Sequence, residues 1–433
     1  MYEKLVYLEL HIKLDCRTML SWGGYPKVSQ SIVSISSRLS KLPKALSLLP
    51  YGLGRSYGDS CLNEGGTLIL TDRLNHLIEF DRDKGLLTTE SGVSFADLLN
   101  VVVPAGWFIP VSPGTKFVTV GGAIANDIHG KNHHVAGTFG RHVTSLELLR
   151  SDGTRTDLTP NDDLFRATVG GLGLTGLITK ATFSLTKIPS PFVLVHSLPF
   201  KGLDRFFEIS ENSNSDYTVA WVDCLSKTPR GIFMEGDFTE SSQREYKPQK
   251  EIITFPFYAP GFLLNSLSIQ LFNEIYFQRV PTKGTKKTVS LNPFFYPLDS
   301  IHNWNKMYGK AGFLQWQCVV PKEGIGEIFS ILRKNRAGSF LAVLKTFGDA
   351  QSPGLLSFPR AGVTLALDFP IRGLETFKVL DLLDSVVREH RGALYPAKDA
   401  RMSKEMFTLS FPKLTEFKKF IDPHFSSSFW RRV

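Results

Sequence analysis

The stretch from Pro113 to His134, PGTKFVTVGGAIANDIHGKNHH, most constrains how this chain can fold, because paired glycines, a β-branched run and clustered imidazoles stand together in it. Gly121 and Gly122 lack Cβ atoms, so the backbone there can turn sharply and aim consecutive amides at an anion. A second glycine loop, YGLGRSYGD from Tyr51 to Asp59, comes after the apolar segment Ala45 to Leu49, which reads as a strand. A third, GLGLTG, runs from Gly171 to Gly176. One such loop marks an ordinary turn. Three of them before Lys180, each beside apolar or β-branched segments, fit a diphosphate held across a mixed α/β domain.

The third loop matches G-x-G-x-x-G, a dinucleotide pattern that requires a helix after it and an acid about twenty residues on. The next residues are instead LITKATFSLTKI, Leu177 to Ile188, in which apolar and polar side chains alternate with the period of a strand. A strand is therefore expected there, and the match is a decoy.

Four strings in this order, YGLGRSYGD, PVSPGT at Pro110 to Thr115, GGAIANDIHGKNHH and VGGLGLTG, resemble the FAD domain of flavoenzymes of the vanillyl-alcohol-oxidase type. Within that superfamily they are most similar to decaprenylphosphoryl-β-D-ribose oxidases. The likeness continues in LELLRSDG at Leu146 to Gly153, FLQWQ at Phe313 to Gln317, LDFPI at Leu367 to Ile371 and AKDARM at Ala397 to Met402, and so covers nearly the whole chain from Leu20. It implies an α+β protein with a two-subdomain FAD-binding domain and an α+β substrate domain built on an antiparallel sheet. The expected limits are an extension over 1–19, the FAD-binding domain over 20–193, the substrate domain over 194–392 and a return to the FAD-binding domain over 393–433.

The resemblance also implies site residues. FAD is expected against Gly52, Gly54, Arg55, Ser56, Tyr57 and Gly58, against Gly114 and Thr115, along Gly121, Gly122, Ala125, Asn126, Ile128, His129 and Gly130, and at Gly171, Gly173, Gly176 and Ile178. The amides of Gly52 to Gly58 and of Gly121 and Gly122 are expected on its pyrophosphate. Arg55 stands where covalent members of the superfamily carry a histidine; arginine cannot form that bond, so the FAD is expected to be dissociable. Lys398 in YPAKDARM is the expected catalytic base, with His129 beside the flavin. Oxidising an alcohol removes a hydride from carbon and a proton from oxygen, and a lysine takes the proton if desolvation or nearby cations, here Arg401 and Lys131, lower its pKa. From the residues alone, Lys398 reads as a solvated partner of Asp399 at a helix start.

Lys131, Gln315, Gln317, Lys345, Thr364 and Ala366 are expected to meet the substrate, with Tyr57 and Trp316 as flat apolar surfaces. Gln315 and Gln317 share one strand face by the two-residue period. Mycobacterial-type sequences of the family carry asparagine where Thr364 stands and cysteine where Ala366 stands. The implied reaction oxidises a secondary hydroxyl of a phosphorylated or polyprenyl-phosphate-linked sugar, as the first half of a 2′-epimerisation that a short-chain-type keto-sugar reductase would complete. An aldonolactone or alditol oxidase using oxygen is the alternative within the same fold. A flavin-free binding protein for an anionic glycolipid is the alternative from another class.

Composition is consistent with this. A chain of 433 residues, 42% hydrophobic, can bury two cores, and a net charge of +9 favours anionic partners. Its cations are spread without a zinc-finger or basic-zipper pattern, which argues against nucleic acid. Cys16, Cys61, Cys224 and Cys318 lie far apart, with neither a disulfide framework nor a zinc set. His129, His133, His134 and His142 invite a metal reading, but Gly130 and Gly137 disfavour the helix it needs. Glu3, Glu9 and Asp15 interrupt the N-terminus, so no signal peptide is expected, Met19 is a candidate start, and the cytoplasm, at the inner membrane surface, is the expected location. Phe262, Leu263, Leu267, Leu271 and Ile275 recur at helical spacing ahead of Lys283, Lys286 and Lys287 in a loop. A core-facing helix is the first expectation there, and an amphipathic membrane contact the second.

Overall fold

A computed structural model describes residues 19–241, 245–247, 253–260 and 264–433. The proposed extension therefore lies outside the described residues, apart from Met19.

The chain first forms a parallel sheet from β1 (Ser31–Ser34), β2 (Leu48–Tyr51) and β3 (Thr67–Leu70), in the order β1-β3-β2. The strand expected over Ala45 to Leu49 starts only at Leu48 and runs directly into the first glycine loop. Next comes a five-stranded antiparallel sheet of β4 (Leu77–Asp81), β5 (Leu86–Glu90), β6 (Val143–Leu149), β7 (Arg155–Leu158) and β8 (Leu177–Ser184), in the order β4-β5-β8-β6-β7. β8 leaves GLGLTG without an intervening helix, as the alternation requires. Helix α1 (Phe95–Val102) is capped by Ser94, whose Oγ accepts from Asp97 N at 3.1 Å. Its buried Phe95, Leu98, Leu99 and Val102 follow helical spacing and pack on this sheet. Helix α2 (Val120–Ala125) carries the paired glycines in its first turn.

The third sheet is antiparallel and eight-stranded: β9 (Phe192–Lys201), β10 (Tyr217–Asp223), β11 (Arg230–Thr239), β12 (Thr285–Ser290), β13 (Phe313–Val320), β14 (Ala342–Phe347), β15 (Gly362–Pro370) and β16 (Ala393–Leu394). Their order is β12-β9-β11-β10-β14-β15-β13-β16. One face buries Trp316, Cys318, Leu344, Leu365 and Leu367 in a core that also takes in the helices Lys322–Lys334 and Leu374–Glu389. This corrects the expectation for Trp316. The pleat that turns Gln315 and Gln317 one way sends Trp316 the other, where its Nε1 donates to Asp384 Oδ1 at 2.8 Å. The opposite face, carrying Val195, Val219, Met234, Val343 and Lys345, looks toward the glycine loops across a cavity.

The C-terminus comes back to the first sheet. Leu48 N donates to His424 O at 2.7 Å, Ser426 N donates to Leu48 O at 2.9 Å, and Arg432 pairs with Asp59 and Asp399.

Helix α3 (Ser266–Gln278) confirms a helix in the periodic stretch and corrects which way it faces. Leu267, Leu271 and Ile275 are 76%, 64% and 64% exposed, while Ile269 and Asn273 are buried. Period alone locates a helix without choosing its inner side. Here the choice is made by Asn273, whose Nδ2 donates to Asp223 Oδ1 at 2.7 Å, and by Phe272 and Tyr276 against Phe340 and Trp221. Lys286 and Lys287 lie on β12, not in a loop, and Phe262 and Leu263 fall outside the described residues. Among the described residues no helix is long and apolar enough to cross a membrane.

Candidate active site

A cavity of about 910 Å³ runs between the glycine loops and the inner face of the eight-stranded sheet. Its wall includes Gly52, Gly54, Arg55, Ser56 and Tyr57 from the first loop, Gly114 and Thr115, the run Gly121, Gly122, Ala125, Asn126, Ile128, His129 and Gly130, and Gly173, Gly176 and Ile178. Gly58 and Gly171 were expected beside them and do not line it. A Cβ on Gly58 would collide with Asp399 O, and one on Gly171 with Ala167 O, so both glycines serve close backbone packing.

The donors available for an anion also differ from expectation. Gly121 N donates to Ser91 O at 2.8 Å and Gly122 N to Thr119 Oγ1 at 3.1 Å, so neither amide is free to form a nest. Tyr57 N is likewise occupied, by Ala397 O at 2.8 Å. By contrast, no group of the described chain accepts from the amides of Gly52 to Ser56. Gly54 holds φ +62, with Tyr51 hydroxyl close enough that only glycine fits. The buried hydroxyls of Ser60 and Ser91, both in the wall, have no partner in the described chain. Unused amides and hydroxyls beside closely approached glycines suit a dinucleotide diphosphate. The residues present therefore fit FAD.

Arg55 is not a surface charge. Its Nε donates to Phe117 O at 3.1 Å and its guanidinium lies 4.0 Å from the Trp22 ring centre.

At the other side of the cavity the sheet register assembles the polar wall. Gln315 pairs opposite Asp368, Gln317 opposite Ala366, and Lys345 opposite Thr364. Gln315 Nε2 donates to Asp368 Oδ1 at 2.5 Å; Gln317 Nε2 donates to Thr364 Oγ1 at 3.1 Å and lies 3.0 Å from His129 Nε2. Thr364 thus stands behind Gln317 and outside the cavity wall, whereas Ala366 is in it. On the other edge of the imidazole, His129 Nδ1 lies 3.1 Å from Lys345 Nζ, which also donates to Gly130 O at 3.1 Å. If Gln317 donates to Nε2, the ring proton sits on Nδ1 and points at a neutral Lys345 amine. Burial, then the neighbouring Lys131 and Lys398, push Lys345 down to about 7, and burial with Lys345 holds His129 well below the usual histidine range.

Lys398 Nζ sits 3.8 Å from the centre of the Tyr57 ring, on a side chain that is partly buried in the cavity wall. Its partner is not Asp399, which accepts from Met402 N and pairs with Arg432. The expected cations are elsewhere too. Arg401 is turned to Asp381 at 2.7 Å and to Asp384, and Lys131 Nζ donates to Phe294 O at 2.6 Å and Phe295 O at 3.3 Å. Burial alone lowers Lys398, against the pull of Asp368, whose carboxyl is itself raised by burial. Burial also pushes Lys131 down to about 7. Three lysines whose charged forms are penalised by burial therefore converge on one cavity.

The sequence pattern did not single out Asp368, nor Tyr395, whose hydroxyl donates to Asn126 O at 3.0 Å beside the His129 ring. The signal for Asp368 was present: a lone acid in the apolar strand GVTLALDFPI, in phase with Thr364 and Ala366. The histidines do not form a metal set. His133 packs on Phe347, His134 Nε2 donates to Ser215 O at 3.0 Å and His142 Nε2 to Ala136 O at 3.1 Å. Among the described residues no three His, Cys, Asp or Glu side chains are grouped to hold a metal.

Comparison with known proteins defines the class. A profile described as an FAD binding domain matches residues 38–159, over the first glycine loop and the paired glycines. The protein is an FAD-dependent oxidoreductase acting on a CH–OH group. The decaprenylphosphoryl-β-D-ribose oxidase of Mycolicibacterium smegmatis is 40% identical to it, across 96% of this chain and 97% of its own. The chain therefore belongs to the decaprenylphosphoryl-β-D-ribose oxidase family. An uncharacterised protein of Streptomyces coelicolor is 31% identical over 78% of this chain and 98% of its own. The glycolate oxidase subunit GlcD of Bacillus subtilis is 29% identical over 33% of this chain and 32% of its own.

Proposed function

We propose that this protein oxidises one secondary hydroxyl of a ribose carried on a polyprenyl phosphate, giving the ketone, with FAD bound without a covalent link. The observation that carries this reading is the single cavity in which Gln315, Gln317, Lys345 and Lys398 face the glycine-loop cradle, whose Tyr57 ring meets Lys398. Support also comes from the 40% identity with an oxidase whose name specifies such a substrate. The parallel and five-stranded sheets, within 20–193, are the two subdomains that hold the cofactor; 194–392 is the body of the substrate domain, whose sheet also takes in Phe192, Val193 and β16, so that 393–433 packs on both domains.

Bound FAD supplies the hydride acceptor. Lys398, neutral because its burial penalises the ammonium, takes the hydroxyl proton at Nζ while the Tyr57 ring holds it in place. The Gln315 and Gln317 amides orient the remaining sugar hydroxyls. Lys131 and Lys345 gain protons as a phosphate arrives, because an adjacent anion raises a lysine that burial has lowered to about 7. His129 keeps Lys345 aimed into the cavity. The ketone formed would pass to a short-chain-type reductase, and the lipid-linked substrate implies work at a membrane surface, on its cytoplasmic side.

The test is the visible spectrum of the purified protein under anaerobic conditions, before and after polyprenylphosphoryl ribose, with a soluble alditol in parallel. Bleaching by the lipid-linked sugar alone is expected. Bleaching by the alditol would replace this reading with an alditol oxidase, and flavin that remains with acid-denatured polypeptide would refute the dissociable cofactor.

A further inference from the structure

Helix α3 has two apolar sides. Phe272 and Tyr276 face inward, line the far end of the cavity and pack on Phe340 and Trp221. Leu267, Leu271 and Ile275 face outward at successive helical turns and are bare. Among the described residues, six of the sixteen large hydrophobic side chains left in solvent fall between Ile253 and Ile275 even without the partly exposed Phe272, so the exposure is concentrated in one place. The Ile253–Thr254 strand joins that place to the cavity, because Ile253 pairs with Ile301, which lines it. A helix that is apolar on both sides, at the mouth of a cavity, has an apolar phase outside as well as within.

The charges beside it identify that phase. Arg279, Lys283 and Lys287 fall within a stretch, 253–290, whose one acid is Glu274, and Glu274 is paired with Arg230 at 2.6 Å; Lys286 is turned to the other face of β12, across from His196. Arg279 and Lys287 also line the cavity. Cations beside a bare apolar stripe complement a surface of acyl chains under anionic headgroups. Asn273, bonded to Asp223, and Arg230, bridging Asp223 and Glu274, hold α3 on the sheet with its stripe outward.

We propose that the outer face of α3, with the segment around Phe257 and Tyr258, seats on an anionic lipid surface, and that the apolar tail of the substrate leaves the cavity beneath α3 into that same surface. The path of the tail rests on the lipid-linked sugar proposed above; the docking face does not. The sugar enters from the lipid phase, and the rim cations meet its phosphate on the way in.

The experiment is flotation of the FAD-loaded protein with phosphatidylcholine vesicles, with and without about 30% phosphatidylglycerol. It compares the native chain, a Leu267→Gln, Leu271→Gln, Ile275→Gln variant and an Arg279→Glu, Lys283→Glu variant. The native chain is expected to float with the anionic vesicles. The apolar variant should lose at least about tenfold in vesicle binding, and the charge variant should lose its preference for phosphatidylglycerol. Flavin reduction by a water-soluble, short-chain phosphoryl ribose should be unchanged in the apolar variant, while reduction by long-chain substrate in vesicles should fall with binding. A native chain that does not float, or an apolar variant that floats equally well, overturns the docking face. A native dimer that the apolar substitutions convert to monomer, without flotation, assigns the face to a second copy and overturns it as well. Failure of the soluble phosphoryl ribose to reduce the flavin in any of the proteins breaks the sugar reading instead, and flotation still decides the docking face.

Discussion

The proposed cofactor cradle and the proposed substrate wall face each other across one cavity and are built on opposite principles. The cradle acts through the backbone: Gly54, Gly173 and Gly176 hold φ of +62, +76 and +143, and the amides of Gly52 to Ser56 are left without partners in the described chain. The wall acts through side chains whose protonation is set by burial, Lys131, Lys345 and Lys398 among them. A cradle tolerates any side chain that does not alter the chain path, whereas a wall fails when one functional group is removed. Damage to the first should therefore cost cofactor, and damage to the second should leave a yellow, inactive protein.

The largest separation of the two is expected from Lys398→Ala. Anaerobic flavin reduction should slow by about 10³, the scale of a lost general base, with FAD content unchanged. Retained reduction would remove Lys398 from the wall's chemistry. In the native protein the neutral amine is the active form, so reduction should rise with pH through neutrality, by about tenfold per unit on the acid side, and Lys398→Arg should be slow and flat. Lys345, partly buried in the cavity wall, carries a matching stability signature. Its folded value of about 7 lies below the ordinary 10.5, so the unfolded chain binds more protons between those limits. Stability should rise with pH across that window, and Lys345→Met should flatten the rise in urea midpoint.

The cradle is tested by Gly54→Val, which forces a branched side chain toward Tyr51 at a positive φ. FAD affinity should drop about tenfold or more, roughly 1.4 kcal/mol, read as the ratio of flavin to protein absorbance after gel filtration. Full occupancy would mean that the loop does not bind through its backbone. Gln317→Leu removes the amide between His129 and Thr364; KM should rise about fivefold, near 1 kcal/mol, with FAD content unaltered. Thr364→Val, one layer behind the cavity, should change KM by no more than about twofold. A larger effect there would bring Thr364 into the wall after all.

The two regions were also unequally legible. The cradle lies in short strings of adjacent residues, so YGLGRSYGD and GGAIANDIHG announced it, and the alternation after Gly176 correctly indicated a strand. Even there, Gly121 and Gly122 read as anion donors, because a sequence cannot show that Ser91 and Thr119 occupy those amides. The wall collects Gln315, Gln317, Lys345 and Ala366 through strand register and Lys131 and Lys398 from segments outside the strands and far apart in the chain, and only family resemblance could nominate them. Resemblance did not show that Arg401 turns to Asp381 and Asp384, or that Trp316 lies on the far side of its strand.

Composition, glycine placement and periodicity were enough by themselves to indicate a mixed α/β chain with three glycine loops, and a helix in the periodic run Phe262 to Ile275, which the structure forms over Ser266–Gln278. Both are local properties, written in what neighbouring residues permit the backbone to do. Which side of that helix meets solvent, which amides stay free, and why three lysines with lowered pKa values share one cavity were decided only by tertiary structure. Burial and partner choice depend on residues hundreds of positions apart, and burial penalises a charge whatever its neighbours in sequence.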